Sequence, residues 1–293
     1  MKIAVTAGKG GTGKTTVATN LALSLSEEGK APVQLLDCDV EEPDAHIFLN
    51  PEFEEEETVG MKRPQIDQEK CNGCGTCADL CVFNAIAVLQ EKTLFYPELC
   101  HGCGLCSLAC PQEAITEIDH QIGIVQKGRA DGMEFLQGEL TIGDPLAPPI
   151  IDKLKKNIRA EAISILDSPP GTACPAVETI HNCDFALLVT EPTPFGLHDL
   201  KLTIKVCRSL GVPYGVVINR KGIGDLGVEE YCREEGIPVL LEIPDSREIA
   251  ELYARGVPFA EEKREWKEKF ISLFQSIKER SGKGGTSETV TSD

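Results

Sequence analysis

Gly8-Lys9-Gly10-Gly11-Thr12-Gly13-Lys14-Thr15 lies between the apolar run Lys2–Ala7 and the helical spacing of Thr15–Glu28, and its reading decides the fold. It satisfies the pattern G-x-x-x-x-G-K-S/T in full, after an expected strand and before an expected helix. Glycines let the backbone curl until its N–H groups converge on phosphate oxygens, and the helix N-terminus adds its positive end. Lys14 is placed to reach β- and γ-phosphates, and the Thr15 hydroxyl to coordinate Mg²⁺. The loop therefore predicts a magnesium nucleotide, ATP or ADP, held by Gly8, Gly10, Gly11, Thr12, Gly13, Lys14, Thr15 and Thr16.

Outward from this loop the chain keeps an alternating rhythm. Val33–Cys38 reads as a second buried strand, and further strands are expected at Ala162–Leu166, Phe185–Thr190, Tyr214–Asn219 and Val239–Glu242. Helices are expected over Leu197–Leu210, near Gly227–Glu235, and over Glu261–Arg280. Strands alternating with helices imply an α/β fold with a doubly wound, mostly parallel sheet and ligand sites at the strands' carboxyl ends. Trp266, Phe270, Phe274 and Ile277 share one face of the last helix. That face carries as many acids as bases nearby, which favours packing on the core over lying on a membrane surface. A Gly/Ser/Thr-rich tail, 281–293, reads as disordered.

The rhythm breaks between about Pro64 and Lys127. Cys71-x2-Cys74-x2-Cys77-x3-Cys81 returns 29 residues later as Cys100-x2-Cys103-x2-Cys106-x3-Cys110, followed by Pro111. Of thirteen cysteines, eight fall in this stretch. Dense, short-spaced cysteines in a chain with no secretory signal mean metal sooner than disulfides. Zinc sites usually use paired two-cysteine knuckles rather than this triple spacing. The run resembles that of bacterial ferredoxins. The resemblance implies one 4Fe–4S cluster on Cys71, Cys74, Cys77 and Cys110, and a second on Cys100, Cys103, Cys106 and Cys81. Cys81 is followed by Val82 where the pattern has proline, so that turn is expected to be looser. His101 reads as a surface residue. The organisation that follows is a P-loop core in two parts, 1–63 and 128–280, with a small α+β ferredoxin-like insert at 64–127.

A second lysine, Lys9, directly follows the first glycine of the loop. In this the chain resembles the MinD/ParA/nitrogenase-iron-protein group of P-loop ATPases, where two subunits sandwich their nucleotides. The resemblance implies a nucleotide-dependent homodimer in which Lys9 crosses to the partner's phosphates, acting as an arginine finger does. Leu36-Asp37-Cys38-Asp39 resembles the first switch, with Asp39 orienting the attacking water and Asp37 near the Mg²⁺ shell. Asp167-Ser168-Pro169-Pro170-Gly171-Thr172 resembles the second switch, with Asp167 holding Mg²⁺ through water. Val217-Ile218-Asn219-Arg220 resembles the adenine-contacting strand end, and Ile243-Pro244-Asp245 the other base-flanking loop. Thr190–Leu200 is similar to the branch of the superfamily that carries an inserted ferredoxin domain. Cys174 lies where the nitrogenase iron protein has a cysteine holding a subunit-bridging cluster; a small buried thiol is the plainer reading.

Net charge, −18, shows no basic stripe and argues against nucleic acid as a partner. Acidic runs such as Glu54–Glu57 read as solvated loop, or as a surface steering basic redox partners. No apolar run approaches the roughly 18–20 residues a membrane helix needs, so a cytoplasmic protein without stable membrane insertion is expected. The function this predicts is an ATPase coupling dimer switching to electron transfer, with a redox or iron–sulfur client protein as partner. An Mrp-like cluster carrier is the alternative, although the C-terminal Cys-x-x-Cys of that branch is absent; Cys232 stands alone. A ParA- or MinD-type positioning protein would leave the cysteines without a purpose.

Overall fold

A computed structural model describes residues 1–90 and 92–281. In chain order its strands are β1 (Lys2–Thr6), β2 (Val33–Asp37), β3 (Glu52–Ile66), β4 (Ile86–Leu89), β5 (Lys92–Phe95), β6 (Ile115–Ala130), β7 (Met133–Leu140), β8 (Ile163–Asp167), β9 (Phe185–Thr190), β10 (Tyr214–Lys221) and β11 (Val239–Pro244). Its helices are α1 (Lys14–Glu28), α2 (Ala45–Leu49), α3 (Thr76–Leu80), α4 (Leu105–Leu108), α5 (Pro148–Lys155), α6 (Cys174–Ile180), α7 (Pro194–Leu210), α8 (Gly227–Glu234), α9 (Arg247–Ala254), α10 (Phe259–Glu262) and α11 (Arg264–Ser281).

One large sheet runs β11-β10-β9-β1-β8-β2-β7-β6-β3. Neighbours from β11 to β7 are parallel, while β7–β6 and β6–β3 are antiparallel. Helices cover both faces of the parallel part, which is why β2 and β9 are buried at every position, Gln34, Asp37 and Thr190 included. On one face Val17, Leu21 and Leu25 of α1 meet Trp266, Phe270, Leu273 and Ile277 of α11. The apolar stripe of the last helix is thus spent on the core. On the other face Ile150, Leu154, Leu200, Ile204 and Val228 pack over Leu36, Leu166 and Leu188.

The antiparallel edge carries the cysteines. β6 pairs with β7 only over Gly123–Ala130, while Ile115–Gln121 pairs with Gly60–Ile66 of β3 alone. Because β7 is parallel to β2, its carboxyl end lies at the same sheet edge as Asp37. The free ends of β3 and β6 therefore project past that edge as a two-stranded arm, about 20 Å long at ~3.3 Å per residue. The segment 67–114 sits on the arm's tip: α3, the β4–β5 hairpin, a short 3₁₀ turn at Pro97–Leu99, and α4. Ser107 Oγ donates to Ile115 O at 3.0 Å, fastening unit to arm, and Asp67 N donates to Ala114 O at 2.8 Å, tying the unit's two ends together.

Several elements differ from the sequence expectations. Glu54–Glu57 lies in β3 instead of a loop. This edge strand is solvated on both faces over Glu52–Thr58, so no alternation marks it; the ladder to β6 orders it, and its acids discourage pairing at the free edge. β7 was not expected. The last helix is broken at Lys263 into α10 and α11, and Ser281 closes α11. The rest of the expected tail, 282–293, lies outside the described residues. The expected borders 63/64 and 127/128 fall inside β3 and β6. No helix among the described residues is long and apolar enough to cross a membrane.

Candidate functional site

Between β1 and α1 the loop closes on two left-handed glycines, Gly11 (φ 77°) and Gly13 (φ 91°), the second serving as N-cap of α1. A Cβ on Gly13 would stand 2.4 Å from Asn219 Nδ2, and Asn219 Nδ2 donates to Thr12 O at 2.8 Å. The end of β10 is thereby pinned against the loop, and only glycine leaves room for it. Gly8 is equally constrained: its Cβ would meet Asp199 O of α7 at 2.5 Å.

A cavity of about 250 Å³ opens beside this loop, lined by Gly10, Gly11, Gly13, Lys14, Thr15 and Thr16. Asp39, Asn219, Arg220, Pro244 and Asp245 line it too, so residues from β1–α1, β2, β10 and β11 converge there. Gly8, Lys9, Thr12, Asp37 and Asp167 are not in its wall. Glu42, Asp44 and Pro170 join it, as do Ser246, the N-cap of α9, and Ile249, Ala250 and Tyr253 within that helix. These were not singled out from sequence. The apolar turn after Pro244-Asp245 was the available signal for α9, but it reads as ordinary core spacing.

Carboxylates behind the loop are crowded. Asp37 is fully buried; its Oδ1 accepts from Asp39 N (3.1 Å), and its Oδ2 from Asp44 N (3.1 Å) and Ala45 N (3.0 Å). Burial, then the charge of Asp167, pushes Asp37 well above the usual carboxylate range. Burial lifts Asp39 to about 6, with Lys14 opposing. Asp167 is also fully buried, and neither of its oxygens makes a hydrogen bond of good geometry, although the Thr15 hydroxyl lies close by. Burial lifts it to about 7, against the Thr15 hydroxyl and the Lys14 charge. Two unpartnered carboxylate oxygens behind Thr15 are what a hydrated Mg²⁺ would satisfy, so the residues fit that ion.

A stability consequence follows. Asp167 binds its proton more tightly folded (about 7) than at its ordinary value of 3.8, so the folded state holds more protons between those values. Metal-free protein should therefore lose stability as pH rises from 4 to 7. Asp167→Asn should flatten this slope in melting curves, and Mg²⁺-nucleotide should raise the melting temperature of the wild type more at pH 8 than at pH 5. An unchanged slope in the variant would remove Asp167 from that role.

Lys9 does not line this cavity. Its Nζ lies 3.0 Å from Glu191 Oε2, and Arg220 NH1 holds the other oxygen at 2.7 Å. Glu191 lies within the Thr190–Leu200 run, and no local pattern there marks this pairing. Cys174 is exposed at the first turn of α6.

At the arm's tip, Cys71, Cys74, Cys77 and Cys110 line one cavity. Cys81, Cys100, Cys103 and Cys106 line a second, which Cys77 also touches. Each run's fourth cysteine thus sits with the other run's triplet. Backbone N–H groups donate to sulfur at matching places in the repeat: Ala85 N to Cys81 Sγ and Ala114 N to Cys110 Sγ, both 3.3 Å. All thirteen cysteines are free. Among the described residues no three His, Cys, Asp or Glu side chains converge as a single ion requires. A lone zinc needs every sulfur about 2.3 Å from one centre, whereas a cubane gives each thiolate its own iron. Four thiols per cavity, sulfur-directed N–H groups and apolar walls fit the polynuclear group better than one ion. His101 is exposed and stacks on Phe83, ring centroids 3.7 Å apart.

Known proteins are similar to this chain in sequence or in fold. An uncharacterized protein of Methanocaldococcus jannaschii is 34% identical over 88% of this chain and 91% of its own length. An iron–sulfur cluster carrier protein of Pyrococcus horikoshii is 24% identical over 96% of this chain and 89% of its own. The septum site-determining protein MinD of Pyrococcus horikoshii, solved with Mg-ADP, superposes with a TM-score of 0.59 at 21% identity, covering 98% of this chain and 99% of MinD. With residues 3–259 matching the profile of the CobQ/CobB/MinD/ParA nucleotide binding domain, the chain belongs to that family.

Proposed function

We propose that the chain is an ATP-hydrolysing iron–sulfur protein in which nucleotide-driven pairing of two copies moves a unit holding two 4Fe–4S clusters, with electron transfer as output. The observation that carries this is the position of both four-cysteine cavities, on an arm rising from the sheet edge that holds the phosphate loop. In this reading Lys14 and the loop N–H groups hold the phosphates, and Thr15 and Asp167 hold Mg²⁺ with Asp37 behind them. Asp39 orients the attacking water, and Asn219, Arg220, Pro244 and Asp245 flank the base. Lys9, its deviant lysine, serves the second copy's nucleotide. Cys71, Cys74, Cys77 and Cys110 would hold one cluster, and Cys81, Cys100, Cys103 and Cys106 the other. Such clusters supply one-electron carriers tuned by hydrogen bonds and exposure.

A second reading, a carrier that hands clusters to client proteins, is favoured by the similarity to the Pyrococcus carrier protein. Against it, each cavity has four thiols, which suits a resident cluster, and the chain lacks a C-terminal Cys-x-x-Cys. Anaerobic purification with iron and sulfide analysis separates the possibilities. About eight iron atoms per chain are expected, with ATP turnover that differs between reduced and oxidised protein. Iron that leaves on adding an apo-client favours the carrier. Colourless oxygen-free material sinks both. An iron surplus lost in Cys174→Ser would put a further cluster at Cys174.

A further inference from the structure

We propose that the buried Arg63–Asp144 pair is the joint through which the nucleotide site positions the cysteine unit; this rests on the nucleotide-coupled reading above. Arg63 sits midway along the β3 strand of the arm, opposite Ile118, and Asp144 in the loop between β7 and α5. Their side chains are only 7% and 3% exposed, and Arg63 NH2 donates to Asp144 Oδ2 at 2.7 Å. His120 Nε2, on the other arm strand, approaches the same oxygen at 3.4 Å.

The pair stands in an unbroken line between the two sites. Asp39 borders the nucleotide cavity. The next residue, Val40, accepts through its carbonyl from Leu140 N at 2.7 Å, where the loop holding Asp144 begins. Next to Arg63, the carbonyl of Lys62 lies 2.7 Å from where a Cβ on Gly102 would be, so the second cysteine run rests directly on the arm's backbone.

Contiguity alone does not couple sites; an element with two discrete arrangements is needed. The ion pair supplies one. Arginine and carboxylate prefer a two-pronged contact, yet here Asp144 Oδ1 and Arg63 Nε are buried with no partner. One prong is made and one is open. A shift of the Val40–Leu140 segment as the nucleotide loop closes would trade the present single contact, shared with His120, for the double one. The arm would turn with it.

Hydrogen–deuterium exchange on the cluster-loaded protein, with and without Mg²⁺ and a non-hydrolysable ATP analogue, tests this. In wild type, amides of 8–15 should slow, and arm amides of 60–66 and 115–121 should change rate by about fivefold or more. Arg63→Gln/Asp144→Asn removes both charges together, leaving neither buried alone. It should keep the loop response and lose the arm response. Arg63→Lys keeps a charge for Asp144 but cannot form the two-pronged contact, and should lose the arm response too; it also stands in if the double variant does not fold. The low-temperature EPR line shape of the reduced clusters should shift with nucleotide in wild type and in neither variant. An arm that still responds in both variants, or stays silent in wild type while 8–15 slow, overturns the joint. Silence at 8–15 in wild type instead removes the nucleotide reading, and the joint with it.

Discussion

Replacing Lys9 by alanine should lower ATP turnover by roughly 10³-fold or more while leaving MgATP affinity within severalfold. The loop contains two lysines with different surroundings. Lys14 is buried in the wall of the nucleotide cavity. Lys9 lies outside that wall, is 36% exposed, and is tethered to Glu191. A lysine bound away from its own nucleotide contributes little to holding it. In the proposed two-copy arrangement its charge counts where a second copy's phosphates arrive, as charge develops on the transferred group. Loss of such a charge at about 1.4 kcal/mol per tenfold amounts to roughly 4 kcal/mol of barrier. The fold should survive, because Arg220 still compensates the buried Glu191 at 2.7 Å. Lys14→Ala provides the contrast, since it should lose binding as well as turnover. Turnover of Lys9→Ala near wild type would remove the two-copy arrangement, and a large fall in its affinity would place Lys9 on its own subunit's nucleotide.

How far the sequence could be read depended on how tightly chemistry fixes spacing. Phosphate binding demands glycines, lysine and threonine at set intervals, and Gly8–Thr16 announced the loop, its strand and its helix. The eight cysteines announced themselves for the same reason, and the structure gathers each triplet with the other run's fourth sulfur. Parts held by packing or by long-range pairing left weaker marks. β3 carries Glu52 and Glu54–Glu57 on solvated faces and is ordered by backbone bonds to β6, which depend on residues some seventy positions away. Asp144 and Arg63 meet across 81 positions, and nothing near either residue signals the other. Glu191 shows the same limit, since its partners Lys9 and Arg220 come from two other strand ends. The wall made by α9 is amphipathic helix, and its pattern does not distinguish a ligand cavity from core.

Stripping iron with chelator and oxidant should unfold 67–114 while the nucleotide core stays folded. That stretch is well short of the roughly 70–80 residues below which one apolar core rarely suffices. Its own core is Cys77, Ile86 and Ile115, with Ile66, Ala78, Phe95, Cys106 and Cys110 packed around, so three of the sulfurs are part of what it buries. α3 and α4 have five and four residues, far below the ~12–15 at which an isolated helix becomes even marginal. The β4–β5 hairpin has four residues a side, and two strands alone are marginal at best. Val82 and Leu108 remain 82% and 86% exposed. Bonds to the proposed clusters would therefore supply folding free energy to this unit, as structural metal does elsewhere, on the order of 10 kcal/mol. Neither of the two large cores includes any described residue of 67–114, so the loss should stop at the arm. Limited proteolysis of iron-free protein should cut within 67–114 first, and MgATP affinity should stay within severalfold of the loaded form. A protease-resistant 67–114 without iron would mean that the cysteines hold this unit by packing alone, and the case for resident clusters would lose its energetic basis.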